Sequence, residues 1–187
     1  MCIRDRYQAG YALTSGASNI AIGYRALIGH TTGNRNIVIG YNAMSGTSAN
    51  DCPTSNDNIF IGQTAGGGSW TTDDSNYNVG IGSFVLGGAM NGALYNTAFG
   101  YNALNALTTG DYNVAVGANA GDAITTANEN TVVGHGALGA ATVGGRNVSI
   151  GVNSMYTNVG SEWNVAVGRG ALFTVNTSDG SAGNGYN

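Results

Sequence analysis

A histidine lies within a glycine pattern that belongs, in other sequences, to nucleotide-binding proteins. Residues 134–139 read Gly-His-Gly-Ala-Leu-Gly, which matches G-x-G-x-x-G. That pattern binds a dinucleotide only when a strand precedes it, a helix follows it and an acidic residue lies about 20 positions further on. No helical periodicity follows Gly139, and 32 glycines in 187 residues make chance matches expected. We therefore predict no nucleotide site and no cofactor.

The other side chains that could do chemistry are scattered along the chain. His30 and His135 lack the spacing of paired metal ligands, and we expect both to be solvated loop residues. Asp73 and Asp74 lie in an inserted segment, but calcium needs several converging oxygens. Glycoside hydrolysis needs two facing carboxylates, and the 10 acidic residues are dispersed. We predict no metal site and no enzymatic activity.

A repeated unit makes up most of the chain and must position all of these residues. Its first copy, residues 19–27, reads Asn-Ile-Ala-Ile-Gly-Tyr-Arg-Ala-Leu, and later copies follow a basic period of 17 residues with short additions between the early ones. Every copy opens with asparagine: Asn19, Asn36, Asn58, Asn78, Asn96, Asn113, Asn130, Asn147 and Asn164. The fifth residue is always glycine: Gly23, Gly40, Gly62, Gly82, Gly100, Gly117, Gly134, Gly151 and Gly168.

The residues between each asparagine and glycine are typical of a short strand. The second is β-branched and the fourth is large and apolar in every copy, and asparagine and glycine both tolerate the positive φ of a sharp corner. Residues 26–27 and their equivalents predict a second strand, and residues 107–109 and 124–126 a third. A 17-residue unit cannot bury a core alone, so we predict an all-β, parallel β-solenoid of about ten rungs. The stacked asparagines should form a ladder of amide hydrogen bonds.

The third residue of each predicted strand points away from the second and fourth. It runs from Ala21 to Ala166 and is polar only at Ser149. A solenoid that stands alone should turn polar third residues toward water. We therefore expect this face to meet another copy of the chain in a homo-oligomer.

Composition excludes several classes of protein. Charged residues are only 9% of the chain, lysine is absent, and the net charge is −4. Without basic clusters, nucleic-acid binding is not expected. No apolar run approaches the ~18 residues of a membrane span, so we predict no membrane insertion. Cys2 and Cys52 are too few for a disulfide scaffold.

The repeat resembles the heads of trimeric autotransporter adhesins, through copies such as residues 113–117, Asn-Val-Ala-Val-Gly. Residues 96–104, Asn-Thr-Ala-Phe-Gly-Tyr-Asn-Ala-Leu, are closer still to repeats of phage tail fibres. The resemblance covers residues 7–187. It implies a left-handed β-roll, a homotrimer, and a structural, adhesive fibre segment at an extracellular or virion surface. It also implies multivalent attachment to a glycan or protein receptor on a cell. The period of 17 is longer than that of adhesin heads and leaves the cross-section open.

Aromatic side chains are the candidate receptor contacts. Tyr24, Tyr41 and Tyr101 follow corner glycines, and Trp163 precedes a corner asparagine. Their alternative role is to stack over the corners of the solenoid. Trp70 lies in the inserted segment 66–75, outside any predicted rung, and is the first candidate for receptor contact.

A monomeric solenoid that binds ice or polysaccharide through a flat face is the alternative function. Its support is a partial threonine column, formed by Thr14, Thr31, Thr108, Thr125 and Thr142. Pro53, Asp73, Asn91 and Val159 interrupt that column.

Residues 1–6 replace the strand expected of a tenth, earlier unit. They resemble translated sequencing-adapter read-through at the ends of metagenomic reading frames. We predict that they are not native and that residues 7–187 are one solenoid domain, a fragment of a longer fibre.

Overall fold

The computed structural model describes residues 3–46, 54–70 and 73–176, which form a parallel β-solenoid without helices. Ten three-residue strands make one sheet: β1 (Ile3–Asp5), β2 (Ile20–Ile22), β3 (Ile37–Ile39), β4 (Ile59–Ile61), β5 (Val79–Ile81), β6 (Thr97–Phe99), β7 (Val114–Val116), β8 (Thr131–Val133), β9 (Val148–Ile150) and β11 (Val165–Val167). Strands β10 (Thr157–Val159) and β12 (Thr174–Asn176) form a second, two-stranded sheet. The predicted all-β solenoid is confirmed, while its left-handed winding and three-chain assembly stay predictions.

Each strand pairs residue for residue with its copy in the next rung. Ile20 pairs with Ile37 across 17 residues, and Ile37 pairs with Ile59 across 22. The added residues are therefore accommodated between strands and leave the register unchanged. Strand β1 pairs with β2 in the same register, so the backbone of residues 3–5 occupies the strand position of the tenth rung.

The corners differ from the sequence prediction in two ways. Ala26 and Leu27 lie in a turn, not in a second strand, and Leu27 has φ of 55°. Positive φ falls on the corner glycine and on the residue before the asparagine, such as Tyr77 with φ of 60°. The corner asparagine itself does not have positive φ. Another property must therefore explain why asparagine occurs at this position in every copy of the repeat. Residues 107–109 and 124–126, the predicted third strands, form bends and not strands, and β10 and β12 form near the equivalent place only in the last described rungs.

The corner glycines are required by both conformation and space. Gly62 has φ of 141°, and a Cβ there would lie 2.3 Å from the carbonyl oxygen of Gly82. The same approach recurs at Gly117, where a Cβ would lie 2.7 Å from the carbonyl oxygen of Gly134. Because the corners from Gly23 to Gly151 stack this closely, a side chain at any of them would force the sheet apart, whereas a Cβ at Gly168 would meet nothing nearer than 4.0 Å.

The buried asparagines form a ladder through the interior. The Nδ2 of each asparagine from Asn36 to Asn164 donates to the Oδ1 of the asparagine one rung earlier, at 3.0–3.2 Å. The same Oδ1 also accepts from the next backbone N–H, as Asn96 does from Asn113 at 2.9 Å. All nine are buried. The amide suits the position because its NH2 donates two hydrogen bonds while its oxygen accepts along the stack, a combination that a carboxylate or a single hydroxyl lacks.

The third residue of each strand faces inward, which corrects the sequence prediction that it faces out. Ala21, Val38, Ala115 and Val132 are all buried, whereas the second and fourth residues are half-buried or exposed. Most of these inward residues are small, but Val38 and Val132 are β-branched and Phe60 is a fully buried aromatic ring, so the interior also accepts larger side chains. Ser149, the one polar third residue, is buried with its Oγ 2.6 Å from the Oγ of Ser154.

Candidate functional site

The outward face of the nine repeat strands, β2–β9 and β11, is an apolar surface that runs along the chain, and β1 adds the exposed Asp5 at one end. It consists of the second and fourth residues of the repeat strands, and all but Thr97 and Thr131 are apolar. Their exposed fractions reach 40% at Phe99 and Val116 and 66% at Val167. We call this surface the apolar face. Contiguous apolar patches of this extent mark interaction sites on soluble proteins.

Two rows of side chains border the apolar face. The leading edge comprises the residues that directly precede the corner asparagines: Ser18, Arg35, Asp57, Tyr77, Tyr95, Tyr112, Glu129, Arg146 and Trp163. The trailing edge comprises the residues that directly follow the corner glycines: Tyr24, Tyr41, Gln63, Ser83, Tyr101, Ala118, His135, Val152 and Arg169. Residues of both edges are exposed or half-buried. The two edges lie at opposite ends of the same strands, with the apolar face between them.

Tyrosines on both edges stack on one another. On the leading edge Tyr95 lies between Tyr77 and Tyr112, with ring centroids 4.8 and 5.1 Å apart and planes within 5°. On the trailing edge Tyr24 stacks with Tyr41 at 5.3 Å. A ring held between two others has no free face for a sugar, so these contacts fit the corner-covering role.

The remaining predicted aromatic contacts are exposed but partly occupied. Tyr101 is 56% exposed and meets Phe84 edge to face. Trp163 is 53% exposed, and the guanidinium of Arg146 lies 4.8 Å from its ring centroid. Trp163 is therefore accessible to solvent, and Arg146 covers one face of its ring.

Charged residues on the leading edge are paired between neighbouring rungs. Arg35 donates from Nε to Asp57 at 2.6 Å, and this hydrogen bond lowers the pKa of the Asp57 carboxyl and raises that of the guanidinium. Arg146 contacts Glu129 at 3.3 Å and Glu162 at 3.4 Å. These contacts join successive rungs, and all of them are largely exposed, so their main consequence is to fix where each charge lies.

Trp70 is a core residue, which corrects its prediction as a receptor contact. It is 1% exposed, and its Nε1 donates to the carbonyl of Gly66 at 2.9 Å. Its ring meets Phe60 and His30 edge to face at 5.7 and 5.4 Å. The inserted segment thus contributes a side chain to the interior, and Gly66 leaves room beside Phe60, because a Cβ there would lie 2.8 Å from its ring.

His30 is also buried, which corrects its prediction as a solvated residue. It is fully enclosed, and neither ring nitrogen has a hydrogen-bond partner. Burial lowers the pKa of His30 to about 4. It occupies the interior column that Leu107 and Ile124 fill in later rungs, six residues before the asparagine. A neutral imidazole therefore serves there as packing, and it has no partner with which to do acid–base chemistry.

The threonine column uses its hydroxyls within the chain. Thr14 donates to the carbonyl of Thr31 at 3.1 Å, and Thr108 and Thr125 donate to the next threonine carbonyl at 3.0 Å. Asp73 and Asn91 interrupt the column inside the described residues. Cys2, Cys52 and Pro53 lie outside the described residues.

Two open clefts lie near the last described rungs. One, of about 340 Å³, is lined by Val152, Asn153, Arg169, Gly170 and Phe173, and so opens beside the trailing edge. The other, of about 230 Å³, lies where Gly144 and Gly145 replace larger residues, between Thr126 and Glu162. The first cleft combines an apolar wall with a guanidinium and suits an aromatic side chain.

Other chemistry has little support in the described part of the chain. No group of three His, Cys, Asp or Glu residues there could hold a metal ion. Burial raises the pKa of Asp122, whose carboxylate lies 3.4 Å from the Nδ2 of Asn102. No described helix is long and apolar enough to cross a membrane.

Comparison of the chain with protein-family models, curated proteins and solved structures found no match in any of the three.

Proposed function

We propose that this chain is a segment of a structural and adhesive fibre in which copies associate through the apolar face. The observation that carries the proposal is that the large β-branched side chains of the sheet point out of the chain. Within the nine repeat strands the two polar exceptions are Thr97 and Thr131, while Asp5 of β1 lies at one end of the sheet. We propose a homotrimer at an extracellular or virion surface, in accord with the repeat's resemblance to adhesin heads and tail fibres.

The size of the apolar face fits association. Nine repeat strands spaced ~4.8 Å apart make it about 40 Å long, and the seven residues from the leading edge to the trailing edge span about 20 Å. The apolar face together with its two edges therefore covers roughly 800 Å², close to the ~800 Å² that each partner contributes to a standard protein interface. At about 25 cal/mol per Å² of apolar surface, leaving it in water would be costly for the folded chain.

A pair of valines gives a matched test of this face. Val116 lies on the apolar face and is 40% exposed, while Val143 lies outside the sheet and is 45% exposed. We expect Val116→Asp to lower the molar mass in light scattering toward that of a single chain, because a charge there must be desolvated on association. Val143→Asp should leave the mass unchanged. Equal masses for both variants and the native chain would contradict the proposal, provided circular dichroism shows that both remain folded.

The adhesive part of the proposal concerns avidity. Three weak sites on one trimer bind a surface far more tightly than one, without any new contact. On a glycan array, the native chain should bind at least one class of glycan, and Val116→Asp should lose that signal although no binding residue has changed. Absence of binding by the native chain to glycans and to host-cell surfaces would remove the adhesive role and leave a purely structural fibre.

A further inference from the structure

We infer that the leading edge of one chain packs against the trailing edge of a parallel second copy at the same rung. This inference rests on the proposed association of chains through the apolar face. When parallel chains turn their apolar faces to a common axis, one edge of each chain meets the opposite edge of its neighbour. Antiparallel packing would instead bring leading edge against leading edge. The partner of each edge is therefore a second copy of the chain. The side chains on the two edges determine which rungs of the two copies lie opposite each other.

Pairing at the same rung is chemically complementary. Glu129 then faces His135, Asp57 faces Gln63, and no rung places two like charges opposite each other. Tyr95 similarly faces Tyr101 of the next chain, which extends the aromatic contacts across the interface. Complementary charge across an interface fixes its register more than it adds to affinity.

A slip of one rung in either direction loses this complementarity. A slip one way places Arg146 opposite Arg169, and a slip the other way places it opposite His135. In both cases Glu129 loses the imidazole and meets Val152 or Ala118 instead. Arg146 contacts Glu129 at 3.3 Å and Glu162 at 3.4 Å, which places its charge on the leading edge.

The cleft beside the trailing edge offers a seat for one further contact. Trp163 lies on the leading edge of the rung whose trailing edge carries Arg169. In the same-rung register, Trp163 of one copy reaches the cleft of about 340 Å³ between Val152, Arg169 and Phe173 of the next. Tryptophan and arginine are the residues most enriched at interface hot spots. The exposure of Trp163 in the single chain is thus explained by a partner, and not by a sugar.

Disulfide cross-linking tests the register directly. In a background with Cys2→Ser and Cys52→Ser, Glu129→Cys and His135→Cys are combined in one chain. The two positions are separated by a strand and its corners, roughly 20 Å at ~3.3 Å per residue, so they cannot join within a chain. Glu129→Cys with Val152→Cys is the matched control for a one-rung slip. The molar mass of both variants is first measured by light scattering. Both are then oxidised mildly and run on a non-reducing gel.

The expected result is covalent dimers and trimers from the Glu129→Cys, His135→Cys variant and single chains from the control. Cross-linking of the control alone would overturn the register. A multimeric mass with no cross-link in either variant would overturn the edge-to-edge contact while the proposed association stands. A monomeric mass of the folded variants and of the native chain would remove the association itself and the inference with it.

Discussion

The two faces of one sheet carry apolar side chains, but only the inward face finds its partners within the chain. Inward residues such as Ala98 and Ala115 are small and fully buried, whereas outward residues such as Ile39, Ile61 and Phe99 are large and partly exposed. Most inward residues are smaller than their outward neighbours, with Phe60 as the clear exception, and polarity does not separate inside from outside. The outward side chains stay partly exposed in the single chain, and we propose that association removes them from water.

Breaking the asparagine ladder on the inner side should have the largest effect. Asn113→Ala removes the Nδ2 donor to Asn96 and to the carbonyl of Ala127, and the acceptor for Asn130. Because each buried polar group left unsatisfied costs about 1–3 kcal/mol, we expect the free energy of unfolding in urea to fall by about 5 kcal/mol. Asn128→Ala, which removes one exposed hydrogen bond to the N–H of Asp111, should cost about 1 kcal/mol. Equal losses for the two variants would contradict the importance of the ladder.

The two tryptophans allow the interior and the exposed surface to be compared with the same residue type. Trp70→Ala empties an interior site beside Phe60 and His30, so the unfolding free energy should fall by about 4 kcal/mol. Trp163→Ala removes an exposed ring and should change the stability of the single chain by less than about 1 kcal/mol. Fluorescence checks the placement independently: Trp163→Ala should leave the blue-shifted emission of Trp70. A red-shifted emission from that variant would place Trp70 in water.

The sequence predicts the strands, the period and the asparagine ladder because the same pattern occurs in nine copies. It does not predict which face is inward, because alternation distinguishes the faces of a strand only when one of them is polar. Ala21, Val38 and Phe60 alternate with other apolar residues, so polarity gave no signal, and Phe60 shows that size gave no consistent one. The prediction for Trp70 failed for a different reason: the spacing between Asn58 and Asn78 gives the length of an insertion but not which of its side chains turns inward. His30 could have been assigned by its column, which Leu13 and Leu107 share.

Acid should lower the free energy of unfolding because His30 is buried in its neutral form. Burial holds its pKa at about 4 in the folded chain against 6.5 when exposed, so the unfolded chain binds more protons between these values. Stability is therefore complete above about pH 6.5 and falls as the pH drops toward 4, by up to about 3 kcal/mol. His30→Leu should abolish this part of the pH dependence in urea unfolding series at pH 7, 5.5 and 4. An unchanged pH profile in that variant would show that His30 is not its source.

Valine-to-threonine substitutions on two adjacent strands compare the inward and outward faces of the sheet with the smallest change in side-chain shape. Val132→Thr buries a hydroxyl on the inward face and should lower the unfolding free energy by about 2 kcal/mol. Val114→Thr changes the outward face between Thr97 and Thr131, and should lower it by less than about 1 kcal/mol. Both are measured at one protein concentration, since association adds to apparent stability. A larger loss at Val114 would show that the outward face is already tightly packed.

The central claim is that the outward face is covered by other copies of the chain. The most direct test is the molar mass of the native protein in solution, measured by light scattering across a dilution series. We predict a mass three times the 18.8 kDa of one chain. A mass of one chain at every concentration, with the protein folded, would contradict the account.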